Sequence, residues 1–369
     1  MKAWAKLFGV PGPVLRPHLR AAVALPLAAA LLAGCSGGDG GGEQAASTTT
    51  TGGGSTSSTV ATATSAATTA APAPAVQEFP VPAGSGPHDV AVAADGTVWY
   101  TAQGSGELGR LDPRTGQVTE IALGRGARPH GVVLDGDGVP WITDSGLNAI
   151  VRVDPASGAV RSYPLPADRA GANLNTAAFD ERGTLWFTGQ SGIFGRLFLP
   201  TGIMEVFDAP GGRGPYGITV TPDGEIFYAS LAGSHVAQVH PRTAEVTVRR
   251  PPTAGQGTRR VWADSKGRVW CSQWNAGQVA VYDPADGSWM ERRLPGGRPQ
   301  AYAVYVDDKD RVWLSDFGAN ALVAHDPTTG AFTSYPLPST PGNVRQLHGR
   351  PGEVWGAESA ADKLVVVRA

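Results

Sequence analysis

The sequence contains only two cysteines, Cys35 and Cys271, among 369 residues. Because Cys35 is assigned to lipidation below, Cys271 has no partner, and an intrachain disulfide framework is excluded. The chain also lacks a glycine-rich phosphate loop ahead of a helix, a Cys-x-x-Cys pair and a Gly-x-Ser-x-Gly motif. These absences argue against nucleotide chemistry, a zinc site and a serine-hydrolase elbow.

Acidic residues are missing from the first 34 positions, which carry Lys2, Lys6, Arg16 and Arg20. The apolar run at 21–33 is too short to span a bilayer as a stable helix. A basic start followed by such a run is typical of a secretory signal peptide, which we assign to residues 1–34. Its removal changes the formal net charge from −2 to −6. A mildly acidic mature protein argues against nucleic acid as a partner.

The signal peptide ends in Leu-Ala-Gly-Cys at positions 32–35, which resembles the lipobox of bacterial lipoproteins. That resemblance implies that Cys35 is lipidated and anchors the protein to the outer face of the cytoplasmic membrane or to the outer membrane. Residues 36–74 are nearly all Gly, Ser, Thr, Ala and Pro, a composition typical of a disordered tether. We therefore divide the mature chain into a tether at 35–74 and a folded domain at 75–369.

One pattern recurs seven times along the folded domain. Its marker is an aromatic residue in the second strand of each repeat, at Trp99, Trp141, Trp186, Phe227, Trp270, Trp313 and Trp355. The successive spacings of 42, 45, 41, 43, 43 and 42 residues match a four-stranded propeller blade. The repeats contain alternating apolar residues, and in most of them Asp-Gly or Asp-Pro turns separate the strands. The sequence therefore predicts an all-β fold, a seven-bladed β-propeller.

The last repeat lacks its fourth strand, whereas an unmatched fourth-strand motif, Val-Gln-Glu-Phe-Pro-Val-Pro at 76–82, precedes the first repeat. We expect these two pieces to complete one shared blade, which would remove the exposed edges of the ring. A parallel β-helix or two stacked sandwiches would not need this arrangement.

Two sets of positions are expected at one mouth of the ring, because the first two strands of each blade form an antiparallel hairpin. Eleven residues before the markers lie His88, His130, Asn175, Tyr216, Arg259, Tyr302 and Val344. Three residues after them lie Ala102, Asp144, Gly189, Ser230, Gln273, Asp316 and Glu358.

These positions predict a site in the central funnel. Asp144, Asp316 and Glu358 offer hard oxygen ligands suited to Mg²⁺, with Ca²⁺ as the alternative. His88 and His130, each preceded by proline, are the candidate catalytic bases. The candidate substrate-binding residues are Arg128, Asn175, Tyr216, Arg259, Gln273 and Tyr302. The alternative is that these polar groups only bind one another and water in a wet channel.

The repeats also resemble those of streptogramin B lyase, also called virginiamycin B lyase. The motifs are GPHDVAVAADGTVWYT, RPHGVVLDGDGVPWIT, GPYGITVTPDGEIFYA and the trailing SYPLP, and the similarity covers about residues 76–369. It implies a seven-bladed propeller and a Mg²⁺-dependent elimination that opens a cyclic depsipeptide. The family's two histidines correspond to His88 and His130, but its two glutamates are replaced here by Arg128 and Asp144.

Three functions follow as hypotheses. The first is an exported lyase acting on a lactone or cyclic depsipeptide through the histidines and a bound Mg²⁺. The second is a non-catalytic surface propeller that binds a glycan, peptide or protein. The third is a lactonase similar to gluconolactonase, against which the count of seven weighs because those propellers usually have six blades. In each case we expect a monomer that binds its ligand in the central funnel.

Overall fold

The computed structural model describes residues 76–369. The signal peptide, Cys35 and the tether assigned from the sequence lie outside the described residues. None of the helical segments within the described range has the length and apolarity to cross a membrane. The described chain is almost entirely β-structure, with one short 3₁₀ turn at Ala167–Arg169.

The strands, numbered along the chain, form seven four-stranded antiparallel sheets. β1 (Val76–Pro80) comes first and belongs to the last sheet. The first blade contains β2 (Pro87–Val92), β3 (Val98–Ala102), β4 (Glu107–Asp112) and β5 (Gln117–Ala122). The second contains β6 (Pro129–Leu134), β7 (Pro140–Asp144), β8 (Ala149–Val153) and β9 (Val160–Pro164). The third contains β10 (Leu174–Phe179), β11 (Thr184–Gly189), β12 (Ile193–Phe198) and β13 (Ile203–Asp208).

The remaining blades repeat this order. The fourth contains β14 (Pro215–Val220), β15 (Ile226–Ser230), β16 (His235–Val239) and β17 (Val246–Arg249). The fifth contains β18 (Thr258–Ala263), β19 (Val269–Gln273), β20 (Gln278–Asp283) and β21 (Ser288–Arg293). The sixth contains β22 (Ala301–Val306), β23 (Val312–Asp316), β24 (Ala321–His325) and β25 (Phe332–Pro336). The seventh contains β26 (Val344–Arg350), β27 (Glu353–Glu358) and β28 (Lys363–Arg368), completed by β1. The predicted seven-bladed propeller is confirmed.

The marker aromatics all lie in the second strand of their blades and pack in the cores between neighbouring blades. Several of the tryptophans also fasten the turn that precedes them. The indole N–H of Trp141 donates to Asp135 at 2.9 Å, and that of Trp270 donates to Asp264 at 2.9 Å. Each indole therefore satisfies its buried donor on the Asp that begins the hairpin turn, which explains why the two residues recur together.

Hydroxyl groups in the second strands join neighbouring blades. Thr101 accepts a hydrogen bond from the Asp89 backbone N–H and donates to the carbonyl of His130 in the next blade. Thr143 joins β6 to the Asn175 carbonyl in the same way. The hydroxyls of Thr188 and Ser272 donate equivalent hydrogen bonds to the carbonyls of Tyr216 and Tyr302. These inter-blade hydroxyls hold the start of each innermost strand against its neighbour.

The ring closes through β1, which pairs antiparallel with β28 from Val76–Val367 to Pro80–Lys363. The Lys363 ammonium lies 2.5 Å from the Glu78 carboxylate across this pair. The predicted shared blade is therefore confirmed by the sheet order. Cys271 is free and fully buried between the fourth and fifth blades, so it acts as a small apolar residue.

Candidate functional site

A β-bulge interrupts the start of every innermost strand. In the first blade the pairing with β3 shifts between Pro87 and Val90, and the other six blades shift at the equivalent place. Bulges turn side chains away from the regular alternation of a strand. The first bulged residue of each blade forms what we call the mouth ring: His88, His130, Asn175, Tyr216, Arg259, Tyr302 and Arg345.

The seventh member of the mouth ring is Arg345 and not Val344, which the count from the marker had indicated. The reason is the hairpin turn of the last blade, which is one residue shorter than the others. Trp355 pairs with His348, seven residues earlier, whereas Trp99 pairs with Ala91, eight residues earlier. Counting back eleven residues from the marker therefore gives a position one residue too early in this blade.

His88 and His130 lie together on adjacent blades, with ring centroids 3.9 Å apart. Both are almost fully buried. Burial lowers the pKa of His88 well below its ordinary value, and the charges of Arg260, Arg345 and Arg259 lower it further. Burial also lowers the pKa of His130 well below its ordinary value, with a smaller effect from His88. Both imidazoles are therefore neutral near pH 7.

The neighbours of the two imidazoles assign their protons. The Asn175 amide nitrogen lies 3.1 Å from Nε2 of His130, so that nitrogen accepts and the proton sits on Nδ1. This buried Nδ1 has no hydrogen-bond partner. Nδ1 of His88 lies 2.8 Å from the Asp89 carboxylate and donates to it, which leaves a lone pair on Nε2 of His88.

Asp89 and Arg260 form a buried ion pair across the channel, from the first blade to the fifth. Nη2 of Arg260 lies 2.7 Å from Oδ1 of Asp89, and Nη1 lies 3.1 Å from Oδ2. Nη1 also donates to Thr176 at 3.0 Å. Neither Asp89 nor Arg260 was predicted from the sequence, because each follows a mouth-ring residue directly and only the bulge points both toward the channel.

Two tyrosines and two arginines complete the mouth ring. The hydroxyls of Tyr216 and Tyr302 are 2.6 Å apart, and Nη2 of Arg259 lies 3.2 and 2.7 Å from them. Nη1 of Arg345 lies 3.3 Å from the Tyr302 hydroxyl. Burial raises the pKa of Tyr216 to about 12. Burial would also raise the pKa of Tyr302, but the charges of Arg259, Arg345 and Arg260 outweigh it and lower that pKa below its ordinary value.

Asp144 and Asp316 each bind a rim loop through Oδ1, while their Oδ2 atoms are buried without a hydrogen-bond partner among the described residues. Oδ1 of Asp144 accepts from three backbone N–H groups, those of residues 128, 146 and 147, at 2.8–2.9 Å. Oδ1 of Asp316 accepts from the equivalent groups of residues 300, 318 and 319. Asp144 pairs across strands with Pro129, and paired residues share a face of the sheet, whereas the next residue, His130, is turned by the bulge.

The remaining predicted site residues, Gln273, Glu358 and Arg128, also lie away from the two histidines' hydrogen-bond partners. Gln273 hydrogen-bonds Glu291 and Gln278. Glu358 is fully buried on β27 with no hydrogen-bond partner for either carboxylate oxygen. Burial, with a contribution from the charge of Glu78, raises the pKa of Glu358 to about 8. Arg128 is exposed at the rim, where its backbone N–H is bound by Asp144.

The three predicted metal ligands, Asp144, Asp316 and Glu358, therefore do not come together. Within residues 76–369, the group whose ligand atoms lie within 4.8 Å of one another is His88, Asp89 and His130. In that group Asp89 is already bound by both terminal nitrogens of Arg260. A hard ion such as Mg²⁺ needs several free oxygen ligands, and this arrangement does not fit it.

A cavity of about 390 Å³ is lined by residues that follow the mouth ring along the innermost strands. Its walls are mostly aliphatic, and Asp89, Arg260 and Thr176 are among its polar lining residues. The Asp89–Arg260 pair thus faces this cavity, whereas none of the seven mouth-ring residues lines it.

The sequence model of the virginiamycin B lyase family matches residues 74–367. Among solved structures, virginiamycin B lyase from Staphylococcus aureus is 19% identical with a TM-score of 0.74, and the match covers 80% of this chain and 100% of that one. A streptogramin B lyase structure is 20% identical with a TM-score of 0.73, covering 80% and 97%.

A more distant structural match is an extracellular domain of a putative hybrid two-component system from B. thetaiotaomicron. It is 18% identical with a TM-score of 0.63, and the match covers 79% of this chain and 42% of that one. No curated protein is similar enough in sequence to count as a relative. At these identities the solved structures bear on the fold alone.

Proposed function

The chain belongs to the virginiamycin B lyase family, and from this membership we propose that its propeller binds a small ligand in the funnel at the mouth ring. One observation carries the proposal. The bulges bring seven side chains of mostly unlike chemistry to one mouth, and they leave buried donors, Nδ1 of His130 and Nε of Arg259, without acceptors. A buried donor without an acceptor costs roughly 1–3 kcal/mol, so a ligand that supplies acceptors gains affinity.

Binding is better supported than Mg²⁺-dependent elimination. A metal-dependent lyase needs free carboxylates beside its base, and here the carboxylate beside His88, Asp89, is paired with Arg260. Oδ1 of Asp144 and of Asp316 binds backbone N–H groups, and their unpartnered Oδ2 atoms do not group with the histidines in the described residues. The chemistry available at the mouth ring is hydrogen bonding from neutral imidazoles, hydroxyls and guanidinium groups. This set suits recognition of a polar ligand by several weak contacts.

A second function, elimination without a metal, has one specific observation in its favour. Asp89 binds Nδ1 of His88 at 2.8 Å, which fixes the ring and leaves Nε2 as a proton acceptor. A neutral, oriented imidazole is what a general base requires. In such a step Nε2 of His88 would take the proton from the carbon beside a carbonyl, and that electron pair would form a carbon–carbon double bond. The bond between the next carbon and the ester oxygen would break, and the ester would leave as a carboxylate, which needs no proton.

The proposed setting is outside the cytoplasmic membrane, with lipid on Cys35 and the tether at 35–74 holding the propeller at the surface. The protein would act there as a monomer on a small molecule or peptide, and not on nucleic acid.

Binding is tested by thermal shift and calorimetry with neutral sugars, acidic sugars, dipeptides and quinupristin. We expect at least one class to raise the Tm, His130→Ala to abolish that shift, and Thr115→Ala, in an exposed outer turn, to preserve it. Circular dichroism of His130→Ala checks that the variant is folded. Ligands that bind equally well to the parent and to His130→Ala would place binding elsewhere and contradict the proposal.

The same samples separate binding from catalysis. Elimination opens the quinupristin ring without changing its mass, whereas hydrolysis adds one water. We expect the antibiotic to remain intact with excess Mg²⁺ and with a chelator, as judged by chromatography and mass spectrometry. Ring opening that His88→Ala abolishes would instead establish the lyase function.

A further inference from the structure

We propose that the ligand of the mouth ring is an acidic sugar, whose carboxylate is bound by Arg259 and Arg345 beside the Tyr302 hydroxyl. This inference rests on the proposed function, ligand binding in the funnel, and adds the chemical class of the ligand.

Arg259 and Arg345 carry positive charges that have no partner carboxylate among the described residues. Arg260 is paired with Asp89, but in the part of the chain that the structure describes no carboxylate lies within 4.0 Å of Arg259 or Arg345. Both guanidinium groups converge on one atom, the Tyr302 hydroxyl, at 2.7 and 3.3 Å. Two like charges held this close repel each other, and an anion placed between them would offset that repulsion.

Within residues 76–369, the groups around the two arginines do not neutralise them. The histidines are neutral, and Asp89 is shared between His88 and Arg260. The Asp144 and Asp316 carboxylates bind backbone N–H groups of the rim loops, and in the described range neither forms an ion pair with Arg259 or Arg345. Two positive charges therefore remain at the mouth ring for a ligand to neutralise.

Arg259 and Arg345 also have N–H donors that are free to bind a ligand. Nε of Arg259 is buried and has no acceptor, although its Nη2 donates to both tyrosine hydroxyls. Arg345 uses Nε for the Ser359 hydroxyl and Nη1 for Tyr302. A carboxylate has two oxygens that together accept about four hydrogen bonds, so it can accept from both guanidinium groups at once.

Aromatic side chains lie beside the two arginines, and they favour a sugar over a bare anion as the ligand. Tyr302 and Phe317 are stacked, with centroids 4.8 Å apart and an interplanar angle of 11°. Trp274 stands edge-on to both, 5.6 Å from Tyr302 and 5.3 Å from Phe317. Trp274 and Phe317 are both half-buried, so part of each ring is open to solvent and available for packing against a sugar ring.

The test is calorimetry with glucuronate and galacturonate, as monosaccharides and short oligosaccharides, against glucose, galactose and inorganic phosphate. We expect a uronate to bind at least tenfold more tightly than its neutral counterpart and than phosphate. We also expect its affinity to fall as NaCl is raised, because the contact is ionic. Arg259→Gln and Arg345→Gln should each weaken uronate binding at least tenfold.

The matched control is Arg114→Gln, which removes an exposed arginine on an outer turn and should change nothing. Arg345 is only half-buried, so its variant reports on binding even if Arg259→Gln fails to fold. Equal binding of uronates and neutral sugars, or uronate binding that survives both substitutions, would overturn the inference. A neutral ligand that binds and is lost in His130→Ala would leave the proposed function standing without it. Phosphate binding as tight as that of the uronates would overturn the sugar class.

Discussion

Glu358 is the residue whose environment conflicts most with its chemistry. A carboxyl group without a hydrogen-bond partner is stable in a buried position only when it is protonated. Its pKa is raised to about 8 by burial and by Glu78. Unfolding returns the pKa to its ordinary value of 4.5. The folded state therefore holds a proton that the unfolded state releases, and stability falls as the pH rises between these two values.

Replacing Glu358 with glutamine should remove this pH-dependent loss. Near pH 5 the variant and the parent should have similar Tm values, and at pH 8.5 the variant should melt at least about 2 °C higher, because ~1 kcal/mol moves the Tm of a large domain by about that amount. The measurement is a thermal scan at a series of pH values. Glu181→Gln, at an exposed turn, is the control and should follow the parent throughout. A constant difference between Glu358→Gln and the parent would show that the carboxyl does not titrate on folding.

Part of the candidate site could be predicted residue by residue, and part could not. His88 and His130 were found because a repeated Pro-His pair is visible in the sequence. Arg345 was missed because the last blade has a shorter turn. Asp89 and Arg260 were missed because adjacent residues in a regular strand point to opposite faces, and only the bulge brings both toward the channel.

At the scale of the strands, the inter-blade hydroxyls explain how one blade fixes the next. Thr143 receives the Gly131 N–H at 3.0 Å and gives its own proton to the Asn175 carbonyl. Gly131 directly follows His130, the mouth-ring residue of blade two, and Asn175 is the mouth-ring residue of blade three. The fourth and seventh blades carry alanine at the equivalent positions, 229 and 357, and do without this bond.

Thr143→Val should leave a buried N–H and a buried carbonyl without this partner, with little change in shape. We expect the free energy of unfolding to fall by about 1–3 kcal/mol, as measured by denaturant titration. Thr143→Ser keeps the hydroxyl and should lose clearly less. If the valine variant were as stable as the serine variant, the hydroxyl would contribute nothing to the joint between these blades.

The strands themselves were predictable because their signals are local and repeat. The alternation of apolar residues, the Asp-Gly turns and the marker aromatics each recur at blade spacing, so an error in one repeat is corrected by the others. The bulges had no such signal, since one extra residue at the start of a strand leaves composition and turn residues unchanged. Nor does a local signal indicate which ligand atoms meet: among the described residues the group within 4.8 Å is His88, Asp89 and His130, and not Asp144, Asp316 and Glu358.

For the whole molecule, the closing contact is the pairing of β1 with β28. Five residues of β1 pair with β28, and the Glu78–Lys363 ion pair lies across them. Without β1 the backbone groups along one side of β28 would be unpaired, and an open strand edge tends to associate with other chains.

A chain beginning at residue 83 should therefore be less stable than one beginning at residue 75 and should form oligomers, as seen by thermal melting and size-exclusion chromatography. Adding a synthetic peptide of residues 75–82 should restore the monomer and raise the Tm, because the peptide can occupy the position of β1. A peptide with Glu78→Lys, which meets Lys363 with a like charge, should restore less. Equal melting temperatures for the two chains would contradict this account of closure.

The pairing of β1 with β28 also sets an order of events in time. β1 is the first strand of the propeller to be synthesised, and its partner is the last. At a ribosomal rate of about 5–20 residues per second, β1 waits roughly 15–60 s before β28 exists. During that interval six blades can assemble, but the seventh cannot. The closed ring is therefore a property of the finished polypeptide alone, and a truncated nascent chain can never display it.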